Sequence, residues 1–163
     1  MQGFASRRKA KVIQVDGGND MTAFVRFMLV WGGGFVAFTM VDLLWIGVIA
    51  APIYRTQLGP VLVSGQEMGA PQIVAALATW LVITFALAWF AMPERGQSWL
   101  VALGGGAMLG FIMYAVYDLT NLAVLRGWTL KVTVIDILWG TSICACVAVL
   151  MNGLRLLLTK SPA

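Results

Sequence analysis

The sequence predicts an all-α membrane protein, four transmembrane helices in an antiparallel bundle with both termini in the cytoplasm. Three observations carry that expectation. Of the 163 residues, 60% are hydrophobic and 11% charged, with a mean hydropathy of +0.87, whereas a soluble domain is about 45 to 50% apolar and about 25% charged. The apolar residues gather into four long runs separated by Pro, Gly and charged residues, and eight of the eleven Lys and Arg fall on one side of those runs. This balance excludes a water-soluble enzyme and a nucleic-acid binder, and makes the lipid bilayer the expected partner. Histidine is absent, which removes the commonest ligand for zinc, copper and haem iron; no metal site and no cofactor are expected.

Residues 1–22 read as a flexible basic cytoplasmic tail and 23–158 as the transmembrane domain. Ser6-Arg7-Arg8 resembles a twin-arginine export signal, but a polar stretch from Asp16 to Asp20 parts the basic cluster (Arg7, Arg8, Lys9, Lys11) from the first apolar run. That run is about twice the length of a signal core and no small-residue cleavage site follows it. The four helices are expected over 27–50, 73–92, 99–125 and 130–152. At about 1.5 Å per residue each crosses a hydrocarbon core of about 30 Å. Pro52 stops the first. The second begins after Pro71 and ends at the turn Pro93-Glu94-Arg95-Gly96. The third starts near Ser98 and ends with Gly127 as its carboxyl cap, and the fourth is followed by Arg155 and Lys160. The 51–70 segment is long for a loop in so small a bundle; it is expected in the outer interface or folded over the bundle as a lid.

Arg7, Arg8, Lys9, Lys11, Arg26, Arg95, Arg155 and Lys160 stand against Arg55, Arg126 and Lys131. The positive-inside rule therefore places both termini in the cytoplasm of a bacterial inner membrane. Trp31, Trp89 and Trp99 then lie near the inner interface and Trp128 at the outer one, with Trp80 an exception buried in mid-span. Gly32 to Gly34, Gly104 to Gly106 and Gly110 allow close helix approach in lipid. Packing within the chain is the plainer reading, a homodimer seam the sharper one. Cys144 and Cys146, two apart on a helix and so pointing in nearly opposite directions, read as small packing residues.

Three of the seven acidic residues fall inside apolar runs. Helical rise puts Asp42, Asp118 and Asp136 in one layer, roughly 8 to 12 Å below the outer surface. A carboxylate in mid-bilayer costs at least about 2.5 to 3.5 kcal/mol, so each is expected to face the bundle interior with a partner. Asp42 and Asp136 share a local pattern, Thr39-Met40-Val41-Asp42-Leu43-Leu44-Trp45 and Thr133-Val134-Ile135-Asp136-Ile137-Leu138-Trp139. The Thr and Trp three residues to either side lie on the acid's own face, so each helix is expected to satisfy its own acid. The two copies run in opposite senses across the membrane, as in inverted-repeat transporters. Tyr114 and Asn121 flank Asp118 by one turn and complete a polar pocket. Arg55, Arg126 and Lys131 are expected at its mouth. Carboxylates so close repel one another, so the layer needs a retained proton or a compensating cation, and Asp42 and Asp136 are expected to share one pocket.

The stretch Tyr117-Asp118-Leu119-Thr120-Asn121-Leu122-Ala123, continued by Arg126-Gly127-Trp128 and by Lys131 through Thr141, is similar to a family of small bacterial membrane proteins, domain of unknown function 2177 (DUF2177). The resemblance extends to Asp42-Leu43-Leu44-Trp45 with Gly47 and to Tyr54-Arg55-Thr56-Gln57-Leu58-Gly59, and covers about residues 25 to 152. It implies an inner-membrane protein and carries no activity over. Three functions follow from the residues, in this order: a non-enzymatic accessory or interaction subunit, as a homo-oligomer or in a larger membrane complex, with the polar layer serving packing; a small proton- or ion-coupled transporter using Asp42, Asp118 and Asp136; and a lipid-modifying enzyme. The last lacks a nucleophile beside the acids.

Overall fold

The computed structural model describes residues 17–63, 65–94 and 97–159. The basic cluster from Arg7 to Lys11, Arg95 of the second turn and Lys160 lie outside the described residues. Among the described residues every regular element is helical: α1 (Gly17–Leu44), α2 (Ala51–Leu58), α3 (Ala70–Phe90), α4 (Trp99–Val124) and α5 (Leu130–Thr159). Four stretches among the described residues are long and apolar enough to cross a membrane, Met21–Ile49, Ala70–Phe90, Trp99–Val124 and Leu130–Thr159.

The ends differ from expectation in ways the local chemistry explains. Residues 17–22, expected in the flexible tail, are helical. Once an apolar run has nucleated a helix, each further residue adds a hydrogen bond at little extra cost, and no Pro stops α1 on that side. At its other end α1 passes into a wider π turn, Trp45–Ile49, closed by the Ala50 N–H donating to the Trp45 carbonyl at 2.7 Å. Pro52, which has no N–H to give, then sits in the first turn of α2. The expected loop is thus mostly helix, α2 followed by a 3₁₀ turn at Gly59–Val61.

Pro71 occupies the first turn of α3 rather than preceding it, as its fixed φ and missing N–H allow. The Gln72 side chain accepts from the Gly69 N–H at 3.1 Å. Ser98 caps α4, its Oγ accepting from the Leu100 N–H at 3.2 Å. Gly127 is not the carboxyl cap of α4, which is Leu125. Instead Gly127, at φ +90, supplies the left-handed residue of the next turn, which the Trp128 N–H closes on the Leu125 carbonyl at 3.4 Å. Beyond Asn152, the expected end of the fourth helix, Leu154, Leu156, Leu157 and Leu158 carry α5 on to Thr159. Arg155 explains why it stays docked: its guanidinium donates to the Pro93 carbonyl at 2.6 Å and to the Asn152 Oδ1 at 2.9 Å.

The core forms where α1, α3 and α5 meet, around Phe38, Leu87, Ile143, Cys144, Ala148 and Met151. The closest approach is between α4 and α5, and glycine makes it. A Cβ on Gly106 would lie 2.5 Å from the Cys144 carbonyl oxygen and 2.6 Å from the Ala148 Cβ, and one on Gly110 would strike the Gly140 carbonyl. Gly34 is closed in the same way by the Met151 side chain, while Gly32 and Gly104 face open space. Gly34, Gly106 and Gly110 therefore serve packing inside the chain. Cys144 is buried and Cys146 exposed, both as free thiols. Across α1 and α3, Trp31 donates to the Leu81 carbonyl at 3.3 Å and to the Thr84 hydroxyl at 3.2 Å, and Phe27 meets Phe85 and Trp89 edge to face.

Candidate functional site

Asp42 and Asp118 are buried, at 6% and 0% exposure, and Asp136 is half-buried. Their partners are not those of the expected pattern. Both oxygens of Asp42 accept an indole N–H at 2.8 Å, one from Trp80 on α3 and one from Trp139 on α5. Asp136 accepts the phenol O–H of Tyr54, on α2, at 2.5 Å. Tyr54 in turn accepts the Trp45 indole N–H at 3.1 Å. Burial first, and then the hydrogen bond to Asp136 and that carboxylate's charge, push the Tyr54 phenol well above its ordinary range, so it remains a donor at any physiological pH.

The expectation that each helix satisfies its own acid is therefore corrected. Trp139, three residues after Asp136, serves Asp42 on the other helix. Trp45, three after Asp42, reaches Asp136 through Tyr54. The two indoles lie face to face between these bonds, centroids 4.1 Å apart and planes 5° from parallel, so the repeated segments meet at their tryptophans and exchange donors. Thr133 does not donate to Asp136 either. Its hydroxyl bonds the Thr129 carbonyl one turn back at 3.3 Å and accepts from Trp128 at 3.1 Å, the back-bonding typical of helical Thr.

One part of the layer is left unsatisfied. Both carboxyl oxygens of Asp118, the Thr39 hydroxyl and the Asn121 amide nitrogen are buried without a hydrogen-bond partner. Beside Asp42 a cavity of about 260 Å³ opens between α1, α3 and α4, walled by Trp80, Ile83, Met113, Tyr114 and Tyr117. Tyr114 is placed there by Gly140, since its ring occupies the space a Cβ on Gly140 would fill.

The cations expected at the mouth are exposed, and the hydrogen bonds to Asp42 and Asp136 come from indole and phenol instead. Arg55 lines a second cavity of about 770 Å³, beneath the segment after α2, with Tyr54, Leu43, Ile46 and Met68. Among the described residues no three acidic or cysteine side chains are grouped to hold a metal ion. Sequence reasoning missed Trp80 and Tyr54 as site residues. Trp80 carried a signal, since a mid-span indole N–H needs an acceptor; Tyr54, followed by Arg55, Thr56 and Gln57 in a segment that reads as a loop, carried none.

No curated protein and no solved structure matches the chain. The profile of a family described as Predicted membrane protein (DUF2177) matches residues 27–152, a stretch that reaches from α1 into α5 and includes Asp42, Asp118, Asp136 and the donors Tyr54, Trp80 and Trp139, and the chain belongs to that family.

Proposed function

We propose that the protein is a four-span inner-membrane protein, with both termini in the cytoplasm, whose acidic layer takes up and releases a proton as part of a small transport pathway. The observation that carries this reading is Asp118, fully buried with neither carboxyl oxygen bonded. A polar layer built for packing satisfies its members, because an unpaired buried polar group costs about 1 to 3 kcal/mol. Asp42 follows that rule, and Asp118 breaks it in the same layer. An intramembrane ionisable group of this kind marks a proton or ion path.

An antiparallel bundle is supported by the contacts. Gly106 faces 144–148 and Gly110 faces 140–144 across α4 and α5. Gly33 faces Leu154 while Asp42 meets Trp139 across α1 and α5. Phe27 meets Trp89 while Asp42 meets Trp80 across α1 and α3. The Lys and Arg distribution supports the cytoplasmic termini. In that orientation the layer lies in the outer half of the membrane, and α2 lies over it with Tyr54 on Asp136.

In sealed vesicles holding a pH-sensitive dye, with the membrane potential clamped, the protein is expected to speed the decay of an imposed pH gradient over that of empty vesicles. Asp118→Asn is expected to abolish the effect. Decay equal to that of empty vesicles, or undiminished flux in Asp118→Asn, would overturn the reading.

A further inference from the structure

The cavity beside Asp42 has a chemistry of its own. Its wall combines one carboxylate with three aromatic rings, Trp80, Tyr114 and Tyr117, the apolar side chains of Ile83 and Met113, and Thr79, whose hydroxyl is bonded to the Ala75 carbonyl of its own helix. Asp42 uses one lone pair on each oxygen for the Trp80 and Trp139 indoles; a carboxylate has about four such sites, so acceptor capacity remains for a ligand. The bond from Trp80 also fixes the indole against the acid, so ring and carboxylate are held as one rigid wall.

We infer that this cavity binds a small organic cation, a primary or quaternary ammonium group. Ammonium groups are drawn both to a buried carboxylate and to the faces of Trp and Tyr, most strongly where water is excluded. An anion would be repelled by Asp42, and a neutral apolar solute would gain nothing from it. A bare divalent cation asks for six or more oxygen ligands, or near-octahedral geometry, which a single carboxylate among aromatic rings does not offer. The volume of about 260 Å³ sits just under the roughly 300 to 1,000 Å³ of drug-sized pockets, the scale of choline or ethanolamine. Such a group reaches the cavity either as a free amine or as the headgroup of a lipid.

This inference goes beyond the reading of the acidic layer as a proton pathway, and its test separates the two. The full-length protein in phosphatidylglycerol nanodiscs, which supply no ammonium headgroup, is titrated with choline, with ethanolamine and with 3,3-dimethyl-1-butanol, the neutral isostere of choline, and its melting temperature is followed. A saturable rise with choline or ethanolamine and none with the isostere is expected. Tyr117→Leu removes one aromatic wall at an exposed position outside the hydrogen bonds of Asp42, and is expected to weaken choline about tenfold; Asp42→Asn is expected to remove the response. Phosphatidylethanolamine added to the nanodiscs will compete with choline if the headgroup is the ligand, and will leave the titration unchanged if a free amine is; either supports ammonium recognition. An equal response to the isostere, no response to either ammonium compound, or undiminished binding in Tyr117→Leu and Asp42→Asn would overturn it. Proton flux without an ammonium response leaves the proton pathway standing and removes the ligand class. An ammonium response without flux does the reverse.

Discussion

Asp42→Ala is expected to destabilise the protein by about 2 to 5 kcal/mol, a large part of the ~5 to 15 kcal/mol that usually separates folded from unfolded states. The loss has two parts. Two hydrogen bonds of 2.8 Å disappear, and they tie α1 to both α3 and α5. Two indole N–H groups are then left without an acceptor, that of Trp80 in a side chain only 8% exposed. Asp42→Asn keeps one acceptor oxygen but turns an N–H₂ toward the other indole, so its loss should be close to half as large. Thermal or denaturant unfolding of the purified protein in one detergent measures both. An Ala variant no weaker than the Asn variant would show that the acid is not the fastening point of the three helices.

Gly110→Ala is the second substitution with a large expected effect, about 3 kcal/mol, at the upper end of the usual cost of overpacking. The added methyl would meet the Gly140 carbonyl and lie 2.7 Å from the Cys144 Cβ. An obstructing backbone cannot turn aside as a flexible side chain can, so α4 and α5 must part. That movement also loosens Tyr114, whose ring packs over Gly140, and with it the wall of the cavity beside Asp42. Gly104→Ala, with nothing within 4 Å of the new carbon, is the matched control. It should be neutral or stabilising by up to about 1 kcal/mol through helix propensity. Equal melting temperatures for the two variants would contradict the close α4–α5 seam.

The four apolar spans and the burial of Asp42 and Asp118 were legible in the sequence for one reason: lipid penalises charge so heavily that a few carboxylates in apolar runs stand out at once. The pairing was not legible. In-helix spacing offered Asp42 the hydroxyl of Thr39 and the indole of Trp45, and offered Asp136 those of Thr133 and Trp139. Helical Thr has a nearer acceptor in its own backbone, however, and Thr133 uses it. A tryptophan is long enough to reach the neighbouring helix, so which acid it serves depends on interhelical distance, a long-range quantity that no window of seven residues contains. The same limit hid Tyr54. Proline at 52 marked a stop, and the Gly and Pro residues after it read as a loop, but α2 forms in that interval because Pro52 is as favourable in a first turn as it is disruptive further in. The Gly-rich segments read alike in the sequence, and only the structure tells Gly106 and Gly110, pressed against α5, from Gly104, which touches nothing.

The claim on which the rest depends is that the acidic layer contains a group kept for chemistry rather than for packing, and that this group is Asp118. The unfolding of Asp118→Leu tests it most directly, because leucine has the same branching without the polar atoms. If the unpaired carboxyl weakens the fold, replacing it should leave the melting temperature unchanged or raise it by about 2 to 8 °C while proton flux is lost. A fall as deep as that of Asp42→Asn would contradict the claim and mark Asp118 as a structural member of the layer.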